Sequence, residues 1–76
     1  MEKIFSTKRP DVIIGFKMTE HEFRELDNDY LGLCLACGEI NDSCEPDARN
    51  YTCENCEKEK VFGSSEIMMM GKIAFI

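Results

Sequence analysis

Apolar residues alternate with polar ones at the start of the chain. Ile4 begins a short predicted strand, and residues 7–11 supply a turn in which Pro10 fixes φ. A second predicted strand carries apolar residues at a period of two, which places them on one face: Val12, Ile14, Phe16 and Met18. The pattern predicts an N-terminal β-hairpin.

The period changes to that of a helix after this hairpin. Thr19 followed by Glu22 matches a capping box, in which each side chain bonds the other residue's backbone N–H. Apolar and aromatic residues then recur at helical spacing: Phe23, Leu26 and Tyr30. We expect Gly32 to end the helix, because glycine adopts the left-handed backbone of a helix C-terminus without strain.

A second short helix is predicted near the end of the sequence. Ser64 or Ser65 can cap its start, and Gly71 can end it. Residues 72–76 alternate enough to predict a last edge strand.

The run of four apolar residues in this helix, residues 67–70, allows two interpretations. Either Ile67 and Met70, or Met68 with its neighbours, face the core, because one helix face cannot hold all four. The methionines left outside would form an adaptable docking surface. Met68 and Met69 are therefore candidate partner contacts as well as candidate core residues.

Two C-x2-C pairs, Cys34/Cys37 and Cys53/Cys56, are separated by 15 residues. Two residues between ligands let a tight turn aim both sulfurs at one point, and a hairpin can join two such turns around one Zn²⁺ at Zn–S distances of about 2.3 Å. We predict one structural Zn²⁺ held by these four cysteines. Since such a site keeps no position for water or substrate, we expect no enzyme activity.

The residues beside the pairs agree with this prediction. Gly38 follows the first pair and suits a backbone with φ > 0, whereas Glu57, at the same place after the second pair, predicts a less ideal turn. Residues 49–52 and 60–62 have the composition of flanking strands. Cys44 lies among turn formers and is expected to be exposed and unligated, with its pKa raised by acidic neighbours.

Two other uses of the cysteines stay open. An iron centre of the rubredoxin type takes the same paired spacing, and metal availability in the cell helps to decide which ion such a site holds. A redox dithiol needs one C-x2-C at a helix start with a lowered thiol pKa, and two matched pairs disfavour it. His21 belongs to the predicted first helix and is interpreted as an ordinary helix residue.

The chain of 76 residues is predicted to be one domain, 1–76, in which an apolar core supplies about 3–5 kcal/mol and a metal supplies further stability. We divide it into residues 1–32 (hairpin and helix), 33–63 (zinc-ribbon unit) and 64–76 (helix and tail). The expected fold is small α+β, a zinc ribbon with rubredoxin-like knuckles, an N-terminal β-hairpin and one or two short helices.

The cysteine count and the first residues predict where the protein works. Five cysteines are an odd number for a closed disulfide framework, and residues 1–18 contain no apolar run long enough for a signal peptide or a membrane span. We therefore expect a cytoplasmic protein without a membrane partner, since paired cysteines in the reducing cytosol more often hold metal than form disulfides.

Negative charge is concentrated in the middle of the sequence. Residues 20–59 carry a net charge of −9, against +2 for residues 1–19 and +1 for residues 60–76, which sum to −6. Such a surface repels nucleic-acid phosphates and favours a protein partner with basic groups. The candidate contacts are acids of the predicted hairpin tip: Asp42, Glu45 and Asp47. The alternative, a nucleic-acid-associated transcription or replication accessory, has only a few basic residues to support it: Lys8, Arg9, Arg49, Lys58 and Lys60.

The segment from Cys34 to Gly71 resembles small zinc-ribbon proteins encoded by phages. The resemblance is carried by CLACG (residues 34–38), EPDARNY (45–51), CENC (53–56) and VFG (61–63) before the methionine-rich helix. Cys44 departs from the pattern. The resemblance implies a viral origin, the same four cysteines as ligands and no catalytic activity, and a viral protein of this kind is expected to act on host machinery in the host cytoplasm.

Overall fold

The computed structural model describes residues 1–76 and shows a small α+β protein with six short strands and two helices. In chain order the elements are β1 (Glu2–Phe5), β2 (Ile13–Met18), α1 (Glu20–Asn28), β3 (Gly32–Cys34), β4 (Ile40–Asn41), β5 (Val61–Gly63), α2 (Ser64–Met69) and β6 (Ile73–Phe75). They form two three-stranded sheets, ordered β1-β2-β6 and β4-β3-β5. The predicted α+β class is confirmed, and β6 is the predicted last edge strand.

The predicted N-terminal hairpin is present, with β1 antiparallel to β2, and β6 pairs with β2 in parallel. Its predicted apolar face is wrong at Val12 and Ile14, which are exposed, while Ile13 is buried. Two successive residues of β1 pair with Gly15 and Ile13, so the intervening Ile14 has no partner and forms a β-bulge. The bulge shifts the alternation by one residue, and only the later positions of β2 are buried as predicted.

The predicted capping box starts α1. Thr19 Oγ1 accepts a hydrogen bond from the Glu22 N–H at 3.1 Å, and Glu22 Oε1 accepts one from the Thr19 N–H at 2.9 Å. His21 lies on the exposed side of the helix with its Nε2 2.8 Å from Glu25 Oε1, as expected of a helix residue.

The prediction that Gly32 ends α1 is wrong. Tyr30 already adopts the left-handed conformation, with φ of 53°, and closes the helix two residues earlier. Gly32 instead lies buried in β3, where an added Cβ would be 2.8 Å from the Phe62 carbonyl oxygen and 2.9 Å from Cys44 Sγ. The glycine is therefore required by close packing between segments and not by the helix end.

The start of α2 also differs from the prediction. Gly63 is the N-cap, and neither Ser64 nor Ser65 caps the helix with its side chain. The Pro46 carbonyl accepts hydrogen bonds from the N–H groups of Ser65 and Glu66, at 3.0 and 3.2 Å. A backbone carbonyl from a distant loop thus takes the place of a serine hydroxyl.

The end of α2 is the one predicted. Gly71 has φ of 71°, its N–H donates to the Met68 carbonyl, and the Lys72 N–H donates to the Ile67 carbonyl, which together form a Schellman motif. Ile67 is buried, but Met68, Met69 and Met70 are all exposed. Both predicted core arrangements are therefore wrong in placing a methionine of this run in the core.

Two groups of buried residues hold these elements together. One joins both sheets and both helices: Ile13, Phe16, Met18, Leu26, Leu33 and Ile67. The other surrounds the cysteines: Cys34, Cys44, Ala48, Cys53 and Val61. Of the predicted strand at residues 49–52, only Tyr51 forms a bridge, with Val61. Neither helix has the length and apolar character that crossing a bilayer requires.

Candidate metal centre

The four cysteines of the two C-x2-C pairs meet at one point of the structure. Cys34 ends β3 and Cys37 lies in the turn after it, while Cys53 and Cys56 belong to a turn that precedes β5. Their Sγ atoms all lie within 4.8 Å of one another. Two of the four distances between the pairs, from Cys34 Sγ to Cys56 Sγ and from Cys37 Sγ to Cys53 Sγ, are both 3.6 Å. The cluster can hold one metal ion.

The sulfur spacing and the donor chemistry both fit a metal. All the cysteines are free thiols, and the sulfurs are well beyond the bond length of a disulfide, about 2.05 Å. A tetrahedral ion with metal–sulfur bonds of about 2.3 Å sets its ligands about 3.8 Å apart, close to the two sulfur–sulfur distances of 3.6 Å. Four thiolates are also a donor set that selects soft or borderline cations.

The two cysteine turns, residues 34–39 and 53–58, share one backbone pattern. The Gly38 N–H donates to the Cys34 carbonyl at 2.8 Å, and the Glu57 N–H donates to the Cys53 carbonyl at 2.9 Å. In each turn the N–H of the first cysteine donates to the carbonyl five residues on. Gly38 has φ of 80° and Glu57 has φ of 65°. The second turn is therefore the same turn as the first, with a glutamate held in a conformation that favours glycine.

Backbone N–H groups point at the buried sulfurs. Those of Ala36 and Cys37 donate to Cys34 Sγ at 3.4 and 3.5 Å, and that of Asn55 donates to Cys53 Sγ at 3.3 Å. Such bonds favour the thiolate, since they stabilise negative charge on sulfur. Both turns thus supply N–H donors that offset part of the cost of ionising a buried cysteine.

The two buried thiols of the four-cysteine cluster have opposite pKa shifts. Burial raises the pKa of Cys34 to about 12, whereas hydrogen bonds from the Cys56 backbone and the Asn41 side chain lower the pKa of Cys53 to about 6. Metal binding displaces thiol protons, so a bound cation favours the thiolate at both positions.

Two asparagines that contact the sulfurs were not predicted from the sequence. Asn41, only 5% exposed, donates from Nδ2 to Cys53 Sγ at 3.5 Å, and its Oδ1 accepts the Glu54 N–H at 2.9 Å. Asn55 Nδ2 donates to Cys37 Sγ at 3.6 Å. Nothing in the sequence distinguishes Asn41 from the turn residues around it, because its contacts form only when distant segments approach.

The prediction for Cys44 is wrong in one respect. It is 2% exposed, because its N–H donates to the Tyr30 carbonyl and its side chain packs against Gly32. It lies outside the group of four cysteines. Burial first, and then the charges of Glu45 and Asp42, raise the pKa of its thiol.

The predicted acidic contacts, Asp42, Glu45 and Asp47, are all exposed. The Tyr51 hydroxyl donates to Glu45 Oε2 at 2.6 Å, which lowers the pKa of the Glu45 carboxyl and raises that of the tyrosine. The same loop binds the start of α2 through the Pro46 carbonyl. These acids therefore lie on an ordered loop that is anchored at both the tyrosine and the helix.

The predicted methionine contacts lie at the other end of α2. Met68 and Met69 are exposed, the latter by 71%. A six-residue helix rises about 9 Å. The acidic loop contacts the start of this short helix, and the two methionines lie in its last turn.

Comparisons of this chain with protein-family models, with curated proteins and with solved structures find no match. The four-cysteine cluster is compatible with a zinc-ribbon-like site. The viral origin that the resemblance to phage proteins implies stays a prediction.

Proposed function

We propose that the four cysteines hold one Zn²⁺ with a structural role, and that the protein is a zinc ribbon that binds another protein and does not act as an enzyme. The observation that carries the proposal is the convergence of four sulfurs from two matching turns. Zinc takes four thiolates in a tetrahedron and keeps no open position in such a site. The alternative ion is iron, which binds the same donors.

The small size of the core supports a structural role for the ion. Only 18 of 76 residues are buried, and three of them are the cysteines Cys34, Cys44 and Cys53. Structural zinc sites contribute about 10–16 kcal/mol of apparent binding free energy. Apolar cores of this size contribute about 3–5 kcal/mol. We therefore infer that the metal decides whether the chain folds.

Native mass spectrometry and elemental analysis test the metal assignment. We expect one Zn²⁺ per chain, loss of the folded NMR spectrum when a chelator removes the metal, and recovery when zinc is returned. Cys53→Ser should abolish stoichiometric binding, whereas Cys44→Ser, the matched control, should keep one ion. A protein that folds cooperatively without metal contradicts the proposal, and iron in a zinc-supplied preparation contradicts the choice of ion.

We propose that the partner is a protein with a basic surface, contacted through the acidic loop and the exposed methionines. The carboxylates of Asp42, Glu45 and Asp47 suit cationic groups, and Met68 and Met69 suit an adaptable apolar contact. The resemblance to phage proteins adds the proposal that this partner belongs to host machinery.

Affinity purification from the native host, followed by binding measurements with the recovered partner, tests this interaction. The triple variant Asp42→Asn, Glu45→Gln, Asp47→Asn should weaken binding and reduce its dependence on salt, because exposed charges are screened by ions. A control of equal charge change uses exposed acids elsewhere: Glu2→Gln, Glu25→Gln and Glu59→Gln. Equal losses in both variants, or binding that does not depend on salt, contradict the acidic contact. Saturable binding of DNA or RNA near physiological salt favours the nucleic-acid alternative.

A further inference from the structure

We propose that Asn41 is a positioning residue of the metal centre, whose side-chain amide holds the Cys53 sulfur and sets how tightly the ion is retained. The inference rests on the proposed metal site and adds a residue outside the two C-x2-C pairs. Asn41 belongs to β4, which follows the first pair, yet its side chain contacts the second pair.

All the polar atoms of the Asn41 side chain are used. Its Oδ1 accepts the Glu54 N–H at 2.9 Å, and its Nδ2 donates to Cys53 Sγ at 3.5 Å and to the Glu39 carbonyl at 3.4 Å. The orientation of the amide is fixed, because the oxygen must face the N–H donor and the nitrogen must face the two acceptors. An aspartate, which cannot donate when ionised, fits only half of this arrangement.

The backbone of Asn41 fixes its position relative to the first pair of cysteines. It pairs with Gly32 in β3, the strand that ends in Cys34. The side chain then reaches across to the second turn at Cys53 and Glu54. Asn41 therefore links the two halves of the metal centre by hydrogen bonds that do not involve the ion, and these bonds fix the position of the Cys53 sulfur.

The charge of the site explains why a neutral donor is useful there. Four thiolates around one divalent ion carry a net charge of −2. They lie in a segment, residues 20–59, that already carries −9. The nitrogen donors to Cys34 Sγ are both backbone N–H groups, whereas Cys53 Sγ also accepts a bond from the Asn41 side-chain amide. The neutral amide stabilises negative charge on this sulfur. A lysine or arginine at the same place would also be attracted to the acidic side chains of the segment.

Two substitutions separate the role of the Asn41 Nδ2 donor from that of its Oδ1 acceptor. Asn41→Asp keeps an oxygen for the Glu54 N–H but loses the donor to sulfur, whereas Asn41→Ala loses both. Asn50→Asp is the control, since it makes the same charge change at an exposed side chain. Asn50 has φ of 55°, a conformation that aspartate also tolerates. The measurements are Zn²⁺ affinity by competition with a chromophoric chelator and the energy of the thiolate-to-metal charge-transfer band of the Co²⁺-loaded protein.

We expect Asn41→Asp to lower Zn²⁺ affinity by about 10–100-fold, the usual effect of losing a residue that orients a metal ligand. Asn41→Ala should lower it by about tenfold. Both variants should shift the Co²⁺ band to lower energy, because a sulfur without its N–H donor holds its electrons less tightly. Asn50→Asp should leave affinity and band unchanged.

Three results would overturn the inference: unchanged affinity in both Asn41 variants, weaker binding with an unchanged band energy, or an equal loss in Asn50→Asp. Weaker binding with an unchanged band energy would mean that Asn41 only stabilises the fold. If Asn41→Ala does not fold, Asn41→Asp decides by the same criteria, since it keeps the bond to Glu54. A wild-type protein that binds neither Zn²⁺ nor Co²⁺ would instead remove the proposed metal site itself.

Discussion

Positive φ angles outside glycine occur at four residues: Tyr30, Ser43, Asn50 and Glu57. Glu57 is the informative one, because its counterpart in the other cysteine turn is Gly38. A glutamate in the left-handed region costs about 1–2 kcal/mol relative to an unstrained backbone. The strain is tolerated because the turn must match its partner around the four sulfurs.

We predict that Glu57→Gly stabilises the metal-loaded protein by about 0.5–1 kcal/mol, since relief of strain exceeds the entropy that glycine adds to the unfolded chain. Urea unfolding at fixed free zinc measures the change. Glu57→Gln keeps the strain and removes the charge, so it should have little effect. A glycine variant no more stable than the glutamine variant would contradict the strained conformation.

The buried thiol of Cys44 yields a prediction about reactivity and pH. Burial and the nearby Glu45 and Asp42 raise its pKa, so less thiolate is present at any given pH than for an ordinary cysteine. We predict that iodoacetamide does not label Cys44 of the metal-loaded protein at pH 7.5 in the time that fully labels the unfolded chain. The rate at which Cys44 is labelled should keep rising at pH values above the usual pKa of a cysteine thiol, because its own pKa is raised.

Peptide mapping by mass spectrometry reads the modified position. The unfolded, metal-free protein is the control, in which Cys44 and the four candidate ligands should react alike. Rapid and selective labelling of Cys44 in the loaded protein would mean that this residue is accessible and that its burial is wrong.

At the scale of elements, contacts between segments decide how α2 is held. The Pro46 carbonyl binds its first N–H groups, Ser64 Oγ donates to Asp27 Oδ1 of α1 at 2.9 Å, and Arg49 Nε lies 2.6 Å from Glu66 Oε1. A helix of six residues is too short to be stable alone. Its stability therefore comes from the loop and from α1.

The start of α1, by contrast, is stabilised by a capping box between residues that are three apart in the sequence. We predict that Thr19→Ala lowers the free energy of unfolding by about 1 kcal/mol, because the Glu22 N–H loses its acceptor at the helix start. Thr19→Ser keeps a hydroxyl and should remain close to the wild type. Urea unfolding of the zinc-loaded variants measures both, and equal stability of the alanine and serine variants would contradict a role for the cap.

At the scale of the whole molecule, the proposed ion couples folding to both zinc and protons. The unfolded chain carries protons on its thiols below about pH 8.5, whereas the loaded site carries none. The unfolded state therefore binds more protons, and stability must rise with pH. With four ligands the slope is about 5 kcal/mol per pH unit at fixed free zinc.

We predict that the metal-loaded protein loses stability steeply between pH 7 and pH 6 at constant free zinc, and that each tenfold increase in free zinc restores about 1.4 kcal/mol. Chemical denaturation in a zinc buffer measures both dependences. Cys44→Ala should show the same slopes, because that thiol lies outside the group of four. A stability independent of free zinc would contradict a structural ion.

Much of this architecture could be predicted because it depends on residues close together in the chain. Spacing alone was enough for the hairpin, the capping box at Thr19, the helix end at Gly71 and the grouping of the four cysteines. The bonds of the capping box and of the helix end span only a few residues, and one local turn joins the two strands of the hairpin. For the cysteines, the repeated C-x2-C spacing marks the two turns that come together.

The tertiary structure alone decided the features that depend on distant segments. Ile14 becomes a bulge through its pairing with β1, Cys44 is buried by a bond to Tyr30, and Asn41 reaches Cys53 from another strand. The local sequence favours a regular strand at Ile14 and turns at Cys44 and Asn41. These outcomes follow from contacts between segments that approach only in the folded chain, where burial and hydrogen bonding outweigh local preference.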